Sequence, residues 1–201
     1  MPFETSYRHV EAALVQTYGV PATAIPTFRS RLGNLQKQGL LGRDNMPGRG
    51  QALVYGPDQI HRLIFACEMS EVGIGPATIL ELVELLWKTK LVPVFKKAED
   101  VAFAHDTVTP RDIILTVGGP RLMTGEWTGD SMLNVDSRTL ADLPKHMDVW
   151  MKGGERLPAR ALIVNLSSRL RQFHAAFADT HFPEIAREKA EAKEQAKKKK
   201  R

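Results

Sequence analysis

Apolar residues recur at helical spacing through the first part of the chain and predict two short helices there. Ser6 is a candidate N-cap for the first helix, and Gly19 is placed to end it by adopting a positive φ. Thr23 is a candidate N-cap for the second, which Gly39 ends. The second helix is amphipathic, with one apolar face formed by Ile25, Phe28, Leu32 and Leu35.

A hairpin and two further helices are expected to follow. Leu40 and Leu41 lead out of the second helix as a short strand, and Gly42 to Tyr55 has the turn-rich composition of a hairpin. A third helix follows Gly56 and Pro57, and a fourth runs from about Pro76 to Lys88. The order helix, turn, helix, hairpin, two helices is therefore the expected organisation of residues 1–90.

The second half has a mixed pattern, so we expect an α+β chain. Residues 112–117, 121–127 and 160–165 are candidate strands, and 139–146 is a candidate short helix. Ser167 is a candidate cap for a last helix with three residues facing inward: Leu170, Phe173 and Phe177. Pro93 and the charged residues around it predict no long helix after the fourth. We expect domains at 1–90 and 91–183, then a charged tail, 184–201, that is disordered or a frayed helix.

Charge is unevenly distributed along the chain. The formal net charge is +5, divided into +3 for residues 1–50, −2 for 51–183 and +4 for 184–201. Basic ends around a mildly acidic middle favour a nucleic-acid-binding head joined to a body with another role. The +3 of residues 1–50 could equally be an ordinary scatter of charged surface residues. The lysine-rich tail could either add salt-sensitive DNA affinity or only make the chain more soluble.

The second helix and the hairpin carry the candidate chemistry. A helix in the major groove presents side chains that pair with base edges, and Arg31, Asn34 and Gln38 are suitable types. Thr27 and Ser30 could contact phosphates or bases, and Arg29 and Lys37 could neutralise phosphates. Two more arginines, Arg43 and Arg49, lie in the hairpin, where they could reach the DNA backbone or minor groove. A solvated helix face is the plain alternative.

Three stretches resemble the MerR family of bacterial regulators. They are residues 28–43, residues 48–55, which end in Tyr55, and residues 57–65 followed by Val72 and Gly73. The resemblance covers about residues 8–88 and implies a winged helix-turn-helix fold that binds double-stranded DNA, usually as a homodimer. The chain departs from the family at Leu53 and at residues 33–35, so we describe it as MerR-like.

Other kinds of site have little support in the sequence. The six histidines show no metal-ligand spacing, and no motif indicates a catalytic residue or a cofactor. Cys67, the one cysteine, excludes an internal disulfide and is better interpreted as a buried apolar residue than as a redox sensor. Trp127 and Trp150 are better interpreted as core residues than as the lining of a ligand pocket. No apolar run is long enough to span a membrane, and we expect a cytoplasmic protein.

These observations predict a sequence-specific DNA-binding transcriptional regulator whose second half dimerises, binds an effector or contacts polymerase. No effector is indicated. One alternative is a phage-type architectural factor, for excision or packaging, that uses the same head to shape DNA. A second is a winged-helix module that binds protein instead of DNA, and an enzyme in the second half is a third.

Overall fold

The computed structural model describes residues 5–42, 54–118, 134–152 and 161–181. Within these ranges helices dominate and are accompanied by a two-stranded and a three-stranded sheet. The expected α+β class is therefore confirmed, whereas a winged helix-turn-helix arrangement remains a prediction. The tail, 184–201, lies outside the described residues.

The first two helices form where the apolar pattern predicts them. Helix α1 spans Tyr7–Thr17 with Ser6 at its N-cap, and Gly19 follows it at a φ of +58°. Helix α2 spans Ile25–Lys37. Thr23 is not its N-cap, because residues 22–24 form a 3-10 turn and the helix begins after Ala24.

The residues after α2 form a turn and not the expected strand. Gly39 takes a φ of +99°, and the Leu40 N–H donates back to the Leu35 carbonyl at 3.1 Å. This reversal buries Leu40 and Leu41 in the core. Most of the expected hairpin, residues 43–53, lies outside the described residues. The chain returns in strand β2, Val54–Tyr55, which pairs antiparallel with β1, Thr5–Ser6.

Three helices follow, one more than expected in this region. Helix α3 spans Pro57–Glu71 and α4 spans Pro76–Leu86, as predicted. A π-helical turn, Trp87–Leu91, then leads directly into helix α5, Val92–Ala104. Pro93 and the charged residues around it were expected to prevent a long helix after the fourth, but α5 has 13 residues. Pro93 falls in its first turn, where the missing N–H costs no helical hydrogen bond.

In the described part of the second half, three strands form an antiparallel sheet in the order β4-β3-β5. Strand β3, Ile113–Gly118, lies at its centre, as expected of a β-rich run that is nearly all buried. Strand β4, Asn134–Thr139, was not predicted, since its polar residues lack a strand pattern. Strand β5, Ala161–Asn165, is where the sequence places it. Among the described strands it pairs with β3 only, and its Ile163 is exposed.

Two helices complete the described chain. After a 3-10 turn, Leu140–Asp142, helix α6 spans Leu143–Lys152, so the helical stretch starts and ends later than predicted. Helix α7 spans Leu166–His181. Its first turn is capped by Asn165, whose Oδ1 accepts from the Ser168 N–H at 2.9 Å. Ser167, the expected cap, is instead buried and accepts a hydrogen bond from the Ile113 N–H.

One cluster of buried apolar side chains joins the two halves of the chain. Helix α7 packs along α1 and α5, so residues such as Leu14 and Phe173 belong to the same core. The limits proposed at residues 90 and 183 remain predictions, but the buried core continues across residue 90. The described helices therefore hold α2 on a shared scaffold.

A polar junction reinforces this packing between α1, α3 and α7. The Arg169 Nε donates to Glu68 Oε1 at 2.5 Å, and the Tyr18 hydroxyl donates to the same oxygen at 2.9 Å. The Arg169 guanidinium also lies 4.6 Å from the centre of the Tyr18 ring. Glu68 is buried, so its carboxylate has lost most of its hydration. The hydrogen bonds and the positive charge of Arg169 offset the free-energy cost of that desolvation.

Candidate nucleic-acid interface

The polar side of α2 faces solvent along its whole length. All seven residues singled out on this helix and its end are exposed, whereas Leu32 and Leu35 on the opposite side are buried. We call the exposed set the α2 face; it comprises Thr27, Arg29, Ser30, Arg31, Asn34, Lys37 and Gln38. Six of these residues line a shallow depression on the surface together with Gly33, and Gln38 lies just beyond it.

A tyrosine holds the buried side of α2 in place. The Tyr55 hydroxyl donates to Gln36 Oε1 at 2.6 Å, and its ring lies 5.5 Å from that of Tyr7. Tyr55, which ends the stretch expected to form the wing, is 1% exposed. Its role in the described structure is therefore to tie the returning chain to α2 and α1.

Arg29 is engaged with a residue that the sequence did not single out. Its Nε donates to Oε1 of Glu11, on α1, in an ion pair. The Glu11 side chain is only 10% exposed, but that of Arg29 is 60% exposed. Arg29 is thus not simply a free surface cation, because it compensates a nearly buried carboxylate.

Asn34 and Gln38 are joined along the helix. The Gln38 Nε2 donates to Asn34 Oδ1 at 2.9 Å, the distance of an ordinary hydrogen bond. Each amide keeps further donor or acceptor capacity after this bond forms. The two side chains therefore present a connected pair of amides to solvent at the end of α2.

Arg31 and Lys37 supply the remaining positive charge of the α2 face. Both are exposed, and neither has an ion-pair partner within the ranges that the structure describes. The other two cations proposed from the sequence, Arg43 and Arg49, lie outside those ranges. The described interface is therefore a single helix face with two unpaired cations, one paired arginine and a row of polar groups.

A groove of about 700 Å³ opens beside the end of α2. Trp87 and Arg62 are among the residues that line it, with the Arg62 guanidinium 4.6 Å from the centre of the indole ring. Asp58 accepts from both, from Trp87 Nε1 at 2.7 Å and from Arg62 Nε at 2.9 Å. The side chains of Asp58, Arg62 and Trp87 are therefore hydrogen-bonded to one another, and none of the three presents an unpaired buried donor or acceptor to a ligand in the groove.

Two histidines meet one carboxylate between α3, α5 and α7. Glu99 Oε1 lies 3.5 Å from His61 Nε2 and 3.8 Å from His174 Nε2. The hydrogen bond with His61 lowers the pKa of Glu99, while burial lowers the pKa of His174. This cluster was not predictable from residue spacing, because its members lie on three separate helices. Among the described residues, no group of histidine, cysteine and carboxylate side chains could hold a metal ion.

Cys67 lies in the interior of α3. It is 3% exposed, and burial raises the pKa of its thiol far above the ordinary range. The thiolate form is the reactive one, so this environment suppresses reactivity and agrees with the buried apolar role expected from the sequence.

Within the described ranges, no helix combines the length and the apolar character needed to cross a bilayer. Comparisons with known protein families, with curated proteins and with solved structures found no match to this chain. Inferences about function therefore depend on the α2 face itself.

Proposed function

We propose that this chain is a sequence-specific DNA-binding transcriptional regulator that places the α2 face in the major groove of double-stranded DNA. The observation that supports this most is that all seven polar residues of the face are exposed together. Within the ranges that the structure describes, neither the core nor the second half covers them. A face buried by α5, α6 or α7 would have removed the basis of the proposal.

The dimensions and chemistry of α2 suit this role. A helix of 13 residues is about 20 Å long, and the major groove, about 12 Å wide, accepts one helix. Arg31 is the type of side chain that pairs with guanine, and the amides of Asn34 and Gln38 are the types that pair with adenine. Thr27, Ser30 and Lys37 flank these positions, where phosphates of the DNA backbone would lie.

Selection of bound sites from random DNA by the purified protein is the direct test. We expect a discrete preferred sequence, bound more weakly as salt rises because phosphate contacts release counterions. Arg31→Ala should weaken binding to that sequence by about 1–3 kcal/mol and relax the preference at one base position. The matched control is Arg111→Ala, since Arg111 is an exposed arginine outside α2.

Other outcomes would favour the competing functions. Several tandem footprints with bent DNA would indicate an architectural factor, whereas one palindromic site would support a dimeric regulator. If the wild-type protein binds no DNA, or if Arg31→Ala and Arg111→Ala bind equally well, the proposal is wrong. A protein-interaction role would then be the better explanation of the exposed face.

A further inference from the structure

Glu11 stands out because it is a nearly buried carboxylate directed at the α2 face from a different helix. It lies on α1, and its side chain is 10% exposed. Its ion-pair partner within the described residues is Arg29 of the α2 face. The Glu11 carboxylate, whose burial costs free energy, thus forms an ion pair with Arg29, whose side chain is otherwise largely exposed to solvent.

The geometry of the pair leaves most of the guanidinium available. An arginine has five N–H donors in a rigid planar fork, and Glu11 engages the one on Nε. No other hydrogen bond of Arg29 is present in the described part of the chain. The two terminal nitrogens can therefore bind a second acceptor while Nε stays on the carboxylate.

We propose that Glu11 is a positioning residue that orients Arg29 so that its terminal nitrogens bind a phosphate oxygen of the DNA backbone. This inference rests on the proposed function, which it extends to a residue outside α2. Free arginine side chains lose considerable rotamer freedom when they bind. Arg29 has already lost much of that freedom, because its Nε is anchored to α1.

Two explanations of Glu11, one by its negative charge and one by its positioning of Arg29, predict opposite effects on DNA affinity when Glu11 is changed. If Glu11 acted only through its negative charge, removing that charge would tighten DNA binding. If it positions Arg29, moving its carboxylate would loosen binding even though the charge is kept. Glu11→Asp makes that separation, since aspartate has the same charge but is shorter by one methylene.

The experiment measures DNA affinity by fluorescence anisotropy between about 50 and 200 mM salt, a range in which phosphate contacts change affinity strongly. The variants are Glu11→Asp, Arg29→Ala and the double variant. We expect Glu11→Asp to weaken binding about three- to tenfold, as arginine regains rotamer freedom. In the Arg29→Ala background the same change should have no further effect.

Arg29→Lys provides a variant with little risk to the fold, because this side chain is 60% exposed and lysine still compensates Glu11. A lysine lacks the fork and cannot hold both partners in fixed geometry. We expect a similar loss of affinity for this variant. Asp100→Glu is the matched control, because it changes the length of an exposed carboxylate on α5 by one methylene and keeps its charge.

Each outcome bears on a stated claim. Absence of DNA binding by the wild-type protein overturns the proposed function and this inference together. If the wild-type protein binds but Glu11→Asp and Arg29→Lys bind equally well, only the positioning role is overturned. An equal loss from Glu11→Asp with and without Arg29 also overturns it, because the effect then does not pass through Arg29.

Discussion

Asp112 is a buried carboxylate just before β3, with hydrogen-bond donors from three other residues. It is fully buried and accepts hydrogen bonds from Arg171, from Asn165 Nδ2 at 3.0 Å and from both the N–H and the hydroxyl of Thr109. Burial alone would raise the pKa of Asp112, but these donors together hold it below the ordinary value. The residue thus joins the start of β3 to β5 and α7.

Asp112→Asn should lower the free energy of unfolding by about 3–5 kcal/mol at neutral pH, since it leaves Arg171 with no buried counter-charge. The folded pKa is lower than that of the unfolded chain, so the ionised group stabilises the fold above about pH 4. That contribution is lost as the pH falls through the lowered folded pKa. Urea unfolding at several pH values measures the difference from wild type.

The pH dependence of the free energy of unfolding distinguishes the loss of the Asp112 charge from a change in packing around residue 112. We expect the gap between wild type and Asp112→Asn to narrow below about pH 4. Asp100→Asn, at an exposed position, should stay within about 0.5 kcal/mol of wild type throughout. A gap that is the same at all pH values would show that ionisation of Asp112 contributes nothing.

At the scale of the element, two glycines in and after α2 have opposite expected effects. Gly33 lies inside the helix and Gly39 just beyond its end, and an added Cβ would meet no atom within 4 Å at either position. The backbone conformation is therefore the difference between them. Gly39 has a φ of +99°, whereas Gly33 is helical.

Gly39→Ala should destabilise the protein by about 1–2 kcal/mol, the cost of forcing an L-residue into a left-handed conformation. Gly33→Ala should stabilise it by about 0.5–1 kcal/mol, because alanine loses less backbone entropy in a helix. Chemical denaturation of both variants under the same conditions tests the pair. Shifts of the same sign would mean that the turn after α2 does not require glycine.

At the scale of the whole molecule, the Glu68–Arg169 pair spans the two halves of the chain. Arg169→Ala should lower the free energy of unfolding by about 2–3 kcal/mol, less than for a fully buried pair because Arg169 is partly exposed. Circular dichroism and tryptophan fluorescence should report the same transition, since α1, α3 and α7 share one core. Arg111→Ala is the control.

Two separate transitions would contradict this account. They would show that the part before residue 90 unfolds independently of the part after it. Arg169→Ala would then shift the midpoint of only one of the two transitions.

The α2 face was predictable from residue order because a helix of period 3.6 separates polar from apolar positions whatever it packs against. The same reasoning located α1, α3, α4 and α7, and the β-rich run at residues 112–117 located β3. Prediction from the sequence failed where a single residue is compatible with two different local structures. Pro93 interrupts a helix in its middle but is tolerated in its first turn, and the structure places it in the first turn of α5, directly after the π-helical turn.

The sequence by itself determined which residues of α2 are polar, where its buried stripe lies and where glycines end its neighbouring helices. These are local properties, set by spacing and by the conformational freedom of single residues. The tertiary structure alone decided that Glu11 holds Arg29, that Glu68 meets Arg169 and that Glu99 lies between two histidines. Such pairs join separate helices, and no spacing along the chain determines which side chains from distant segments will meet.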